Sequence, residues 1–270
     1  MPLRPLLPLA VLALAGCSSP DEVREKTGVT APESEAVSHA SASASSAGKA
    51  KSVAEDTDLY SYEFSYPGQV GAHPHLAAQL EQNAAKARAE MIAEAKEFAA
   101  DAKANGFPFH PHSYSAEWQV VADLPGYLSL SNAFATFSGG AHGMYGLEGY
   151  VWDKANKRGF ASDQLFLSAS YLGSTMGDAV CAALDTERAK RRGGPVDRDD
   201  DVFGTCPKLD EATILVGSSN GKTFDRITVW FGPYVAGPYA EGAYELDFPM
   251  TKAMLDAVKP AYKTVFSAKS

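Results

Sequence analysis

The apolar residues Leu76, Leu80, Ala84, Ala87, Met91, Ala95 and Phe98 recur at steps of three and four. That spacing predicts one long amphipathic helix over about 75–104, stopped by Asn105-Gly106. A helix with a single apolar stripe needs another layer to cover it. The flanking sequence offers strands. Leu59 to Tyr66 alternates Tyr60, Tyr62, Phe64 and Tyr66 with more polar residues, and Pro67-Gly68 ends the run. Ser115–Asp123 and Tyr127–Phe137 flank the turn signal Pro125-Gly126. Gly146–Asp153 follows, closing on the polar turn Asn156-Lys157-Arg158-Gly159. A second helix is expected over about 168–191 from Tyr171, Leu172, Met176, Val180, Ala183 and Leu184. Its basic end, Arg188 to Arg192, suits a helix C-terminus better than a binding patch. Glu211–Gly217 and Thr223–Phe231 flank Ser219 to Lys222, where Asn220-Gly221 signals a hairpin with both residues at positive φ. Tyr244, Leu246 and Phe248 give a last strand, and Thr251 can cap a short helix ending near Pro260. Strands and helices do not alternate strictly. The class is therefore α+β, a largely antiparallel sheet with two main helices.

The first residues read as an export signal. Arg4 is followed by an uncharged apolar run, Leu6 to Ala15. That run is shorter than the ~20 apolar residues a spanning helix needs, and small residues follow it. Leu14-Ala15-Gly16-Cys17 has the bacterial lipobox pattern. Residues 1–16 are expected to be cut away and Cys17 to carry lipid. Ser18 stands where an inner-membrane retention signal would put Asp. This points to the outer membrane, on its periplasmic side. Residues 17–56 are expected to be a tether, since the Ser/Ala-rich stretch 38–47 lacks large apolar groups. Its reach would be roughly 35 Å. The rest divides into an N-terminal part, 57–125, and a C-terminal part, 126–270, a two-part module. With Cys17 lipidated, Cys181 and Cys206 remain. In an oxidising compartment they read as a disulfide. It would close a loop of about 26 residues and contribute roughly 3.5 kcal/mol in the chain-entropy model. Two free thiols or a half-formed metal site are the alternatives.

The net charge of −9 argues against nucleic acid as a partner. The sharpest local motif is Ser138-Gly139-Gly140-Ala141-His142-Gly143-Met144-Tyr145. Its glycines allow positive φ and close approach of another chain. It is not a phosphate loop, because GxxxxGK[ST] is absent. His142 there could be a base, a ligand or a hydrogen-bonding pivot. The second motif is Phe231 to Gly242, with Tyr234, Tyr239 and Glu241 among Gly and Pro. Such tyrosines offer rigid amphipathic contact surface. His73-Pro74-His75 and His110-Pro111-His112 invite a metal reading, but no carboxylate or cysteine cluster completes a set. The run Asp197 to Asp201 lacks the Gly and distal Glu of a calcium loop. No metal and no cofactor are expected.

From about 57 to 266 the chain resembles a two-part extracytoplasmic module of poorly known function, the PdaC/RsiV-like module. It accompanies the catalytic domain of a peptidoglycan deacetylase and forms the lysozyme-binding part of an anti-sigma factor. The resemblance is carried by Phe137 to Gly143, Gly149-Tyr150-Val151-Trp152-Asp153 and Asp163-Gln164-Leu165-Phe166. Further on come Phe231-Gly232-Pro233-Tyr234, Tyr239-Ala240-Glu241-Gly242 and the strand to Phe248-Pro249. The first half matches in outline alone. The resemblance implies an envelope location and a non-catalytic binding role, since deacetylation belongs to a separate metal-dependent domain in that relative. The expected ligand is peptidoglycan or a lysozyme-like protein, bound through Gly139, Gly140, His142, Tyr145, Tyr234, Tyr239 and Glu241. The rivals are a wall hydrolase, with His142 as base and Glu241 or Asp163 as acid, and a structural envelope lipoprotein.

Overall fold

A computed structural model describes residues 48–199 and 202–269. The expected signal segment, Cys17 and most of the expected tether lie outside them. So do two aspartates of the 197–201 run.

The predicted helix stripe forms helix α1, Pro74–Asn105. Pro74 starts it where a missing N–H is harmless, and Gly106 closes it in the left-handed conformation, φ 74°. Leu76, Leu80, Ala84, Met91 and Ala95 are buried along one side. They cover a six-stranded sheet ordered β1-β2-β3-β4-β5-β6. Its strands are β1 Lys51–Asp56, β2 Tyr60–Tyr66, β3 His112–Asp123, β4 Tyr127–Phe137, β5 Met144–Asp153 and β6 Arg158–Ala161. All neighbours pair antiparallel except β2 and β3, which α1 joins as a parallel pair. Tyr62, Phe64, Trp118, Leu128, Leu130 and Trp152 meet α1 in one core.

Three expectations change here. The segment Lys51–Asp56 was expected to be tether but is an edge strand, paired residue for residue with β2. The turn after β5 is tighter than expected: Arg158 and Gly159 already belong to β6, and Lys157 takes the positive φ of 50°. The expected boundary at 125/126 falls between β3 and β4, which pair along nearly their whole length. The sheet therefore crosses both expected parts.

A second core forms around strands β7 Thr213–Gly217, β8 Arg226–Phe231 and β9 Tyr244–Pro249, in that order and antiparallel. Helix α2, Ala169–Arg192, lies against it. Ser168 caps α2 by accepting from the Tyr171 N–H at 3.0 Å. Leu172, Met176, Val180, Leu184 and then Arg188 form its buried stripe, while Tyr171, expected on that stripe, is exposed. Thr251 caps α3, Lys252–Asp256, as expected. The β7–β8 connection is wider than a two-residue hairpin. Only Gly221 of the Asn-Gly pair has positive φ, 67°, and Asn220 Oδ1 instead accepts from the Lys222 and Thr223 amides. Cys181 and Cys206 form a disulfide, Cα atoms 5.6 Å apart, tying α2 to the loop before β7.

Candidate functional site

The β4–β5 connection carries the first motif. Gly139 has φ 86°, and a Cβ there would come within 3.0 Å of the Phe98 ring of α1. Glycine is therefore required. Gly140 has open space around it and no positive φ, so it is not needed for the turn. A Cβ at Gly143 would meet Thr136 O at 2.9 Å. These constraints turn His142 outward, where it is exposed.

The β8–β9 connection carries the second. Tyr234 holds φ 68°, a strained value for a residue with a Cβ. Its N–H donates to Gly237 O at 3.0 Å, and the ring is 51% exposed. Tyr239 opens a short 3-10 turn, Tyr239–Glu241.

The two motifs meet, although His142 and Tyr234 are 92 residues apart in sequence. The His142 ring stacks on Tyr239 with centroids 4.1 Å apart, and Tyr234 lies 5.7 Å from Tyr239. Tyr234 Oη and His142 Nε2 are 3.4 Å apart. Tyr239 Oη donates to Gly143 O at 2.9 Å, and the Ala243 N–H donates to Tyr145 Oη at 3.0 Å. The result is a surface pad of one imidazole and three phenols, cross-linked by hydrogen bonds. Its outer rings are free to stack on a ligand.

The clamp behind the pad is what sequence reasoning missed. The basic run Arg188–Arg192 does end α2, but its side chains also hold the second motif. Arg192 Nε donates to Glu241 Oε1 at 2.8 Å and Nη2 to Oε2 at 3.1 Å. Arg191 Nη1 donates to Ala243 O at 2.8 Å, and its guanidinium lies 3.9 Å over the Tyr244 ring. Arg188 is fully buried and donates to Ala236 O at 2.8 Å and Thr205 O at 3.0 Å. Tyr244 Oη donates to Glu241 as well. Burial by itself would raise the Glu241 carboxyl. The hydrogen bonds from Arg192 and Tyr244, with the charges of Arg192 and Arg188, outweigh burial and hold it below the ordinary range. Burial, then the Glu241 hydrogen bond, pushes the Tyr244 phenol up to about 12. Glu241 is thus a clamp rather than a ligand-facing carboxylate or a general acid. Gly237 allows this, since a Cβ there would lie 2.2 Å from Glu241 Oε2.

Asp163 is elsewhere. It sits in the 3-10 turn Ser162–Leu165 and lines a cleft whose walls include neither His142 nor Tyr239. The histidine pairs do not assemble either. His112 is buried beside Phe98 and Phe109, whereas His75 and His110 are exposed. Cys181, Asp185 and Cys206 place ligand-type atoms together, but the disulfide occupies both sulfurs. Arg198 binds this group through Asp185.

No helix among the described residues is long and apolar enough to cross a membrane. No curated protein matches the chain. Residues 53–145 match the family model described as deacetylase PdaC. The match starts inside β1, covers about a third of the chain, and runs through α1 to β5, taking in Phe137 to Gly143. A crystal structure of a DUF3298 family member from Bacteroides fragilis is 16% identical with a TM-score of 0.51, covering 80% of this chain and 94% of that one. A DUF3298 family protein from Pseudomonas aeruginosa is 17% identical with a TM-score of 0.49, covering 82% and 97%. The chain therefore contains a PdaC-like segment within a fold similar to that of the Bacteroides DUF3298 structure, in agreement with its resemblance to the PdaC/RsiV-like module.

Proposed function

We propose that this is an envelope lipoprotein, anchored in the outer membrane through Cys17, that binds a cell-wall-related ligand on its aromatic pad. One observation carries the reading. Two separate loops converge to stack His142 on Tyr239 beside an exposed Tyr234 held at positive φ. Strain retained at an exposed aromatic residue is typical of a recognition surface. The net charge of −9 favours encounter with a cationic protein such as a lysozyme-like enzyme. Peptidoglycan is the other wall-related ligand the resemblance offers. The test is retention of the protein on insoluble peptidoglycan and on immobilised lysozyme at low salt. Retention on at least one is expected, with roughly ten-fold loss on His142→Ala or Tyr234→Ala, as for an aromatic hot spot. Retention on neither overturns the reading. The anchor is tested by mass spectrometry: the mature protein should lack residues 1–16 and carry lipid on Cys17, whereas Cys17→Ser should carry no lipid and keep residues 1–16.

A further inference from the structure

A cleft lined by none of the pad residues lies between α1, the middle of the six-stranded sheet and the start of β7, with a volume of about 550 Å³. That size suits a ligand of about two sugar rings. Its wall is chemically one-sided. Tyr114, Trp118 and Tyr150 supply aromatic surface, with Trp118 and Tyr150 edge-to-face at 5.7 Å. Glu148 and Asp163 supply exposed carboxylates, and no lysine, arginine or histidine lines the cleft.

Asn132 adds an independent sign. Its side chain is 4% exposed, and its Nδ2 donates to Glu148 Oε2 at 2.9 Å. Its Oδ1 has no partner. A buried acceptor left unmatched is unfavourable; Oδ1 is closed to solvent, so a ligand hydroxyl meets it once the Asn132 side chain shifts toward the cleft. The cleft is also a built feature. Gly149 keeps one wall close, since a Cβ there would lie 2.0 Å from Ser162 Oγ and 2.4 Å from Ile214 O.

We infer that this cleft binds a neutral or amino-bearing saccharide, its ring faces on the aromatic wall and its hydroxyl or amino groups on Asn132, Glu148 and Asp163. Two carboxylates with no cation in the lining beside them disfavour anionic sugars and favour an amine. The inference does not depend on the pad.

Titration of the full chain, followed by tryptophan fluorescence, tests it with four probes: chitobiose, diglucosamine, digalacturonate and trilysine. Saturable changes are expected with chitobiose and diglucosamine, tighter for diglucosamine, and none with digalacturonate. Glu148→Gln and Asp163→Asn, both at exposed positions, should each weaken diglucosamine by roughly five- to ten-fold. Glu148→Gln and Asp163→Asn, which lie outside the pad, should keep the parent's retention on immobilised lysozyme, which separates failure of this site from failure of the pad. The inference is overturned if neither sugar binds, if both carboxylate variants bind unchanged, or if trilysine alone responds.

Discussion

Gly139 and Gly140 are adjacent and read alike in sequence, yet they stand under different constraints. Gly139 needs positive φ and meets Phe98, whereas Gly140 meets nothing. Gly139→Ala should destabilise by about 1–2 kcal/mol through left-handed backbone strain, and Gly140→Ala should stay within about 0.5 kcal/mol. Urea unfolding of the two variants checks the pair; equal effects would remove the claimed constraint. Tyr234 reverses the logic. Its φ of 68° favours glycine, and its ring is half exposed. Tyr234→Gly should leave stability unchanged or raise it by up to about 1 kcal/mol, a few degrees in Tm, while lowering retention on wall ligands. A large loss of stability would mean the ring is a packing residue instead. The motif was legible as Gly-rich and aromatic. Which glycine carried the turn was not, because that depends on Phe98, a residue of another element.

At the scale of elements, α2 shows where reading by period stops. Its apolar stripe and basic end were visible in sequence, and the helix ends where they indicate. What the basic end grips was not visible, because Arg192 and Glu241 are 49 residues apart and no periodicity links them. The grip has a pH signature. The folded Glu241 carboxyl sits below its unfolded value, so its contribution to stability is present above the ordinary carboxylate range. It is lost as pH falls through the folded value, because the unfolded chain takes up the proton first. Glu241→Gln should lower stability at neutral pH and flatten the fall in stability below about pH 4.5. Arg192→Ala should cost about 2 kcal/mol, less than the roughly 3–5 kcal/mol for breaking a fully buried pair, because this one is partly exposed. Denaturant unfolding at pH 7 and pH 4 separates these cases. An unchanged acid slope in Glu241→Gln would place the pH dependence elsewhere.

For the whole molecule, the sequence carried the α+β class and the order of most strands, because those depend on local periodicity. It missed strand β1, and the reason is physical. Lys51-Ser52-Val53-Ala54-Glu55-Asp56 has one large apolar residue and looks like tether. The strand is specified by its partners: the edge of β2, Arg88 binding Glu55, and Lys51 paired with Glu81 at 2.7 Å. The cleft between α1, the sheet and β7 was missed for the same reason, since its walls come from separate elements. A chain beginning at residue 57 tests the point, because it starts where the tether was expected to end. It should lose the β1 ladder and both ion pairs, and it should leave β2 as an open edge. Tyr60 and Arg88 would also lose their shared contact with Glu55. An unpaired strand edge next to an apolar core recruits another chain. The truncated protein should therefore unfold at lower urea and form dimers or aggregates in size-exclusion chromatography, whereas a chain beginning at residue 48 should remain monomeric. If both chains were equally stable and monomeric, β1 would be a passenger on the sheet, and residue 57 would be the true start of the folded module.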